Sequence, residues 1–456
     1  MSKLTLKNTA LGTAFAGLFL MQEAFSANVP PSQLPPAGIA VEEAPLFVAI
    51  AFDDNGLVDN GTPDHPVLGG QAWVLDLWAR SVNPTGTGNV DNFDGQVPHT
   101  TFFNLCSNIT SDNWNASVVK QGWRSAMLEG HEMANHTMDH LEESDELDAV
   151  GWQQQVEPCT ALMSKPFNPD EGAGVPDDQY GIGAAPAIGF RAPYLRYNAN
   201  LYDVLLNGGF KYDASIAEGY HWEHNGTNFY WPYTLDNGSP GADLLASWGT
   251  KPKIGQYPGL WEVPTYAMVV PADEQMAAFG LDYSLRNKMA ETVAWFDVAS
   301  GKVESSDYNL FYQFGLNKAE VLAILKNTLD LRLAGNRAPL TFLAHSDYYA
   351  DIFDTWVATT TTASERRAVL EEFLAYALAK PEVRLVSHEE LVAWMEKPQA
   401  LNAEHCYHAA WESDRAYVAG EKVIYNNAQW QASWWSFNGQ PEDVLWGSWV
   451  KVMDCE

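Results

Sequence analysis

Several largely apolar runs of strand length recur along the chain, each with a polar residue at or beside its end. They occupy residues 46–52, 100–105, 188–191 and 340–345. Runs that lack polar alternation predict strands buried on both faces, as in a parallel sheet covered by helices. We therefore expect the polar residues that close these runs to gather at one edge of the sheet.

Helical patterns lie between and after these runs. Apolar residues recur at three- and four-residue spacing over residues 319–333 and 365–378, and a last helix is predicted over residues 389–395. Strands that alternate with helices predict a parallel α/β fold. Polar residues collected at strand ends are typical of the catalytic face of a (β/α) barrel, so we predict one α/β domain over residues 45–397.

The last part of the chain, residues 402–456, has a different pattern. Six of the 18 Trp residues lie between Trp411 and Trp449, within short apolar runs broken by turn residues. This pattern predicts a small antiparallel β module. A module of this size cannot bury six indoles, so we expect some to be exposed as a sugar-stacking surface, with a partner interface as the alternative.

The N-terminus has the pattern of a secretory signal. Lys3 and Lys7 precede an apolar run over residues 10–21 that is too short to span a bilayer, and small residues follow it. We predict a signal peptide over residues 1–27 and secretion to the extracellular space or the periplasm. The Pro-rich leader that follows, residues 28–44, is expected to be extended and to contribute no core.

Charge narrows the choice of partners. The formal net charge is −32 and is spread along the chain without a long acidic run. Such a surface repels nucleic acid and anionic membranes, which excludes both as partners and suits a neutral substrate. We expect a monomer.

Four cysteines are consistent with an oxidising compartment. Each predicted domain contains two of them, which favours the local pairings Cys106–Cys159 and Cys406–Cys455 over the alternatives. A disulfide that closes a loop of about 50 residues contributes roughly 4 kcal/mol in the chain-entropy model.

Two histidines four residues apart, His136 and His140, suggest a metal site. On a helix they would share one face, with about 5–6 Å between Cβ atoms, and could bind one ion. Asp53 or Asp54, at the end of an upstream strand, could supply a third ligand and leave one coordination position open. Adjacent strand residues point to opposite sides, so the other carboxylate would be free to act as a base.

Three further residues at the strand ends could take part in catalysis. Arg191 could keep a catalytic carboxylate ionised. Pro193 has no N–H, so Tyr194 offers the first backbone donor after this turn, a candidate oxyanion contact. His345 places an imidazole where a general acid could reach a leaving group.

Four segments, in this order, resemble the motifs of the polysaccharide deacetylases of carbohydrate esterase family four. They are residues 51–54, 130–140, 191–194 and 343–345. The resemblance extends over roughly residues 45 to 397, and it implies a distorted (β/α) barrel with hydrolytic removal of acetyl groups.

The resemblance also implies roles for single residues. It implies Asp53 as the general base, Arg191 as its orienting partner, Tyr194 N–H as the oxyanion donor and His345 as the general acid. It further implies that Zn²⁺, or another divalent first-row metal, is bound by Asp54, His136 and His140.

Two assignments stay open at this stage. The family has an Asp that tunes the acid histidine, and Asp213 and Asp307 are both candidates. The cluster at residues 221–224 contains two histidines, but a loop near the substrate or plain surface is favoured over a metal site.

The C-terminal module resembles small chitin-binding modules of the family five and twelve type, on residues 410–411, 417–420, 423–425, 431–435 and 441–449. The likeness implies Trp434 and Trp435 as exposed stacking residues.

The combined hypothesis is a secreted, zinc-dependent deacetylase of chitooligosaccharides that also binds chitin. The alternatives are a deacetylase of peptidoglycan or xylan, and a non-catalytic chitin-binding protein. The long segments between Asp54 and His136 and between Tyr194 and His345 are expected to wall off the groove and favour short oligomers over crystalline polymer.

Overall fold

The computed structural model of the protein describes residues 28–58, 69–172, 176–355, 360–402, 410–442, 444 and 446–455. The predicted signal peptide, residues 1–27, lies outside the described residues, as does Cys406. A large unit, residues 28–402, precedes a small C-terminal unit, residues 410–455. Within the described residues, no helix is both long and apolar enough to cross a membrane.

The large unit alternates strands and helices. Strands β1 to β13 span, in chain order, Leu46–Asp54, Thr101–Asn104, Glu132–Asn135, Gly189–Phe190, Tyr212–Asp213, Ala217–Glu218, Tyr233–Thr234, Trp261–Glu262, Thr265–Tyr266, Met268–Val269, Lys302–Val303, Leu340–His345 and Val383–Leu385. Helices α1 to α9 span Gly69–Ala79, Ala116–Leu128, Ala149–Ser164, Ala199–Asn207, Pro240–Ser247, Leu285–Thr292, Lys318–Ala334, Ala363–Leu378 and His388–Glu396.

Most of the strands form one curled, mainly parallel sheet. Its order is β12-β1-β2-β3-β4-β5-β8-β7, with β13 beside the first half of β1. Only the β7–β8 pair on this path is antiparallel. The predicted α/β fold, a distorted (β/α) barrel, is therefore confirmed. The four strands and three helices given residue ranges in the sequence analysis lie within a few residues of the observed ones.

Strand β1 is buried on both faces, as its unbroken apolar sequence predicted. Phe52 packs on Trp78 of α1 on one face, with ring centroids 5.5 Å apart. On the other face, Phe47 packs on Trp394 of α9 at 4.8 Å. Because helices cover both faces, the polar residue after each strand can emerge only at the sheet edge.

The Pro-rich leader packs against the large unit, contrary to the expectation that it contributes no core. The N–H groups of Trp231 and Thr234 donate to the carbonyls of Ser32 and Val29, at 2.9 and 2.8 Å. The Val29 side chain also packs against the apolar cluster beneath. Prolines removed donors from the leader, but its carbonyls remained free to pair with an adjacent segment.

One predicted disulfide is present. Cys106, directly after β2, is bonded to Cys159 in α3, with Cα atoms 5.2 Å apart. Cys455 is also disulfide-bonded, but its predicted partner, Cys406, lies outside the described residues.

The C-terminal unit is a small β structure, as predicted. Strands β14 to β18 span Ala416–Tyr417, Lys422–Tyr425, Ala428–Ala432, Ser436–Phe437 and Trp449–Asp454. They pair antiparallel in a three-stranded and a two-stranded sheet. Tyr417, Trp430 and Trp449 form its small core, while Trp434 and Trp435 are 47% and 63% exposed.

Candidate active site

The carboxyl ends of several strands meet at one edge of the sheet. Asp53, near the end of β1, lies directly beside His345, the last residue of β12, in the parallel register. Strands β3 and β4 end at the same edge and lead into His136 and Arg191. Asp53, His136 and His345 line a cavity of about 490 Å³.

Three ligand atoms lie together on one side of the cavity. Asp54 Oδ1 is 3.6 Å from His136 Nε2 and 3.5 Å from His140 Nε2. Ligand atoms at about 2.1 Å from a tetrahedral zinc ion are about 3.4 Å apart, so these spacings fit one ion. Asp54 Oδ1 is also buried and has no hydrogen-bond partner among the described residues, which leaves its lone pairs available.

The two histidines lie in a loop after β3, so the helix predicted from their spacing is wrong. Thr137 and His140 have φ angles of 72° and 52°, which an α-helix cannot contain. The carbonyl of Thr137 accepts from Cys106 N–H at 3.1 Å, and its N–H donates to Asn135 Oδ1 at 2.8 Å. A loop pinned from both sides brings the rings together, with centroids 5.1 Å apart.

The His136 ring is oriented and kept neutral. Its Nδ1 lies 2.8 Å from the carbonyl of Arg191, so Nδ1 donates and Nε2 faces the other ligands. Burial, reinforced by the His140 ring, lowers the pKa of His136 to about 3. The neutral imidazole is the form that binds metals.

Asp53 forms a buried ion pair. Arg191 Nη1 donates to Asp53 Oδ1 at 2.7 Å, and both side chains are almost fully buried. The guanidinium is itself fixed, because Nε donates to the carbonyl of Ala214 at 3.1 Å and the ring of Phe103 lies 4.1 Å away. Asp53 Oδ2 remains free to face the metal ligands and is 3.8 Å from His136 Nε2.

His345, which also lines the cavity, is paired with Asp307. Its Nδ1 lies 2.8 Å from Asp307 Oδ1, and its backbone N–H donates to Oδ2 at 2.8 Å. Burial lowers the pKa of His345, but the buried Asp307 carboxylate outweighs it and the pKa rises to about 9. Asp213 instead accepts from Ser215 Oγ at 2.6 Å. The structure thus pairs Asp307, and not Asp213, with this histidine.

The turn after Arg191 brings Tyr194 to the wall of the cavity. The Ala192 N–H donates to Ser215 Oγ at 2.8 Å and Pro193 has none, so Tyr194 supplies the next one. Tyr194 has a φ of 53°, a left-handed conformation that the surrounding turn must hold. Its ring lies against His140, with centroids 4.6 Å apart.

Some residues of the cavity wall were not identified as site residues in the sequence analysis. Glu304, Tyr308 and Gln313 line it from the segment before α7, and Tyr348 lines it from the turn after β12. The Tyr348 ring stacks on His345, with centroids 4.5 Å apart. Tyr348 lies three residues after the candidate acid His345, and Tyr308 directly follows the candidate Asp307, so both had a local signal in the sequence. Glu304 and Gln313 had none.

The histidine pair at residues 221–224 does not form a metal cluster. The rings of His221 and His224 are 5.1 Å apart. Across the described residues, however, Asp54, His136 and His140 are the only group of three or more His, Cys, Asp or Glu residues with ligand atoms within 4.8 Å.

No protein-family model matches the sequence, and no curated protein does. Solved structures similar to the fold include one described as a polysaccharide deacetylase from Mycobacterium smegmatis, at 16% identity, with 81% of this chain and 95% of that chain covered and a TM-score of 0.44. A probable polysaccharide deacetylase from Pseudomonas aeruginosa gives 14% identity, coverage of 81% and 95%, and a TM-score of 0.42. A Puue allantoinase is 14% identical, with 80% of this chain and 93% of that chain covered and a TM-score of 0.40. Values this low do not assign a function, which has to follow from the site.

Proposed function

We propose that the protein is a secreted, metal-dependent deacetylase that hydrolyses N-acetyl groups of chitooligosaccharides and releases acetate. The observation that carries this proposal is the arrangement around one cavity. A carboxylate held by Arg191 and an imidazole held by Asp307 line the same cavity as three clustered metal ligands. Amide hydrolysis needs a base for the water and an acid for the amine, and here each has its own buried partner.

Asp54, His136 and His140 would hold the metal ion, with Zn²⁺ the expected occupant. The donor set of two neutral imidazoles and one carboxylate suits zinc and its first-row neighbours. When bound, the ion would polarise the acetyl carbonyl and make a water molecule more acidic.

Asp53 is assigned as the general base. The Arg191 guanidinium donates to one carboxylate oxygen, which leaves the other oxygen to accept the proton of the attacking water. Because Arg191 is buried and hydrogen-bonded, it also fixes the direction of that oxygen. The Tyr194 N–H is assigned to the oxygen that becomes negative when the water adds.

His345 is assigned as the general acid. An amine is a poor leaving group unless it is protonated as the C–N bond breaks. The Asp307 carboxylate accepts from Nδ1 and keeps the ring protonated at neutral pH, so Nε2–H can be given to the departing nitrogen. The products would be acetate and a free amino sugar.

The C-terminal unit supports chitin as the substrate class. Trp434 and Trp435 are adjacent, exposed indoles on a unit too small to bury them. The apolar C–H face of a sugar ring can stack on such a surface. The disulfide between Cys106 and Cys159 supports secretion, since such bonds persist in oxidising compartments.

Product analysis by mass spectrometry tests this function. The metal-loaded full chain is incubated with N-acetylated chitooligosaccharides of two to six units, with acetylated xylan and with peptidoglycan fragments. Loss of acetyl mass from chitooligosaccharides, with stoichiometric acetate, is expected. Acetate release from xylan or peptidoglycan alone would mean that the substrate is that polysaccharide and not a chitooligosaccharide. Acetate release from none of the substrates would favour a non-catalytic chitin-binding protein.

A further inference from the structure

A second and larger cavity opens on the large unit, outside the site described above. Its volume is about 800 Å³, within the range typical of small-molecule sites. Its lining combines the rings of one Tyr, three Trp and one His with three charged side chains. Six of the lining residues are Tyr220, Trp222, Trp248, Trp295, Asp297 and Lys302.

Three of these residues are exposed indoles. Trp222, Trp248 and Trp295 are 93%, 54% and 58% exposed. Single exposed apolar residues are common, but three indoles that line one cleft form a surface with a large unsatisfied apolar area. They come from widely separated parts of the chain, so the fold brings them together.

Two of the indoles are held in fixed positions. Trp248, directly after α5, contacts Tyr220 edge-on, with ring centroids 6.5 Å apart. Trp295 contacts the buried ring of Phe314 edge-on at 5.5 Å. A ring that is anchored at its edge and still half exposed can receive a flat ligand with little loss of side-chain freedom.

One short segment of the chain contributes to the lining of both cavities. Lys302, in β11, lines the cleft, whereas Glu304 and Ser306 line the catalytic cavity. Two residues of extended chain span only about 7 Å. The two cavities are therefore neighbours at this segment.

We propose that this aromatic cleft binds the outer sugar units of an oligosaccharide whose acetylated unit lies in the catalytic cavity. Sugar rings present apolar C–H faces to indoles and hydroxyl groups to polar neighbours, and the cleft offers both. Arg286, Asp297 and Lys302 also line the cleft and supply polar groups that can hydrogen-bond to sugar hydroxyls. This inference rests on the proposed function and adds a preference for longer oligomers.

The length profile of the reaction tests the cleft. Trp222→Ala and Trp295→Ala are compared with wild type on chitooligosaccharides of two to six units. The ratio of kcat/KM for the hexasaccharide to that for the disaccharide is expected to fall about tenfold, since the hexasaccharide places more sugar units in the cleft than the disaccharide does. Trp114→Ala is the matched control, because Trp114 is 71% exposed and lines neither cavity. An unchanged ratio would overturn the proposal.

A binding experiment separates the cleft from the chemistry. Chitohexaose is titrated into EDTA-treated full chain that carries Trp434→Ala and Trp435→Ala, so that neither turnover nor the C-terminal unit contributes. Adding Trp222→Ala or Trp295→Ala should raise the Kd about tenfold, while Trp114→Ala should not. Equal Kd values with and without Trp222→Ala or Trp295→Ala would contradict sugar binding by the cleft. Absence of binding to the parent protein that carries only Trp434→Ala and Trp435→Ala would also contradict it. If metal-loaded wild type releases no acetate but the Trp variants still raise the Kd, the proposed deacetylase function is refuted and sugar binding by the cleft is supported.

Discussion

Asp53 and Asp54 are adjacent in sequence, and the structure gives them different partners. Asp53 is paired with Arg191, whereas Asp54 faces the two histidines. The positive φ of Asp54, 67°, turns its side chain out of the strand pattern at the point where β1 ends. This difference predicts that loss of the base and loss of the metal can be separated by mutation.

We expect Asp53→Asn to reduce acetate release by about 10²- to 10⁴-fold, because an amide cannot take the proton of the attacking water. Zinc content should stay near that of wild type, since Asp54 and both histidines remain. Activity and metal content are measured on the same protein samples. His136→Ala is the matched control and should lose both. A variant Asp53→Asn that retains full activity would refute the assignment of the base.

Asp307 is expected to set the alkaline limit of activity. His345 must carry its proton to act as an acid, so activity should fall as the pH rises through the pKa of this ring, about 9. Asp307→Asn removes the carboxylate that raises this pKa, so the alkaline limb of kcat/KM should move to lower pH by a unit or more.

The control for this shift is Asp213→Asn. Asp213 contacts Ser215 and Tyr202, not His345, so its substitution should leave the alkaline limb in place whatever it does to the rate. A limb that moves with Asp213→Asn and not with Asp307→Asn would reverse the assignment. The sequence could not choose between the two, because the choice depends on which loop folds back onto β12.

At the scale of elements, the sheet was predictable and the loops were not. Strand β1 had one apolar pattern compatible with burial on both faces, and its neighbours repeated it. The conformation of residues 136–140, the metal loop, was predicted wrongly because the spacing of His136 and His140 also fits a helix. Its real conformation depends on hydrogen bonds from the turn at Cys106 and Ser107, which come from a distant part of the chain.

That turn connects the disulfide to the metal loop. The Cys106 and Ser107 N–H groups donate to the carbonyls of Thr137 and Met138, at 3.1 and 2.9 Å. The Cys106–Cys159 bond ties the same turn to α3. A change in the disulfide should therefore affect both stability and metal binding.

We expect the double variant Cys106→Ser/Cys159→Ser to unfold with about 2–4 kcal/mol less free energy than wild type, since the closed loop spans about 50 residues. Its zinc affinity should fall as well, because the metal loop loses a rigid support. Urea unfolding and competition with a zinc chelator measure the two effects. Unchanged zinc affinity in a destabilised variant would mean that the turn holds its position without the bond.

At the scale of the whole molecule, the chain joins the cavity-bearing large unit to a small unit rich in exposed indoles. The sequence correctly predicted that six indoles could not all be buried, and Trp449 is buried while Trp434 and Trp435 are exposed. It gave no reason to single out Trp446, which is 86% exposed. The number of Trp residues in so small a unit shows that some rings must be exposed. Which rings are exposed depends on the conformation of the turns, which the sequence pattern does not reveal.

The exposed pair should govern retention on solid substrate and not the reaction itself. We expect Trp434→Ala/Trp435→Ala to lose most of the binding to insoluble chitin in a pull-down assay, because two stacking surfaces are removed from the small unit. The rate on soluble disaccharide should match that of Trp114→Ala, an exposed indole of the large unit. If the double variant still sediments with chitin, the aromatic cleft at Trp222 and Trp295 becomes the site to test next. Retention lost on cellulose and chitin alike would show that the pair recognises the sugar face and not the acetamide.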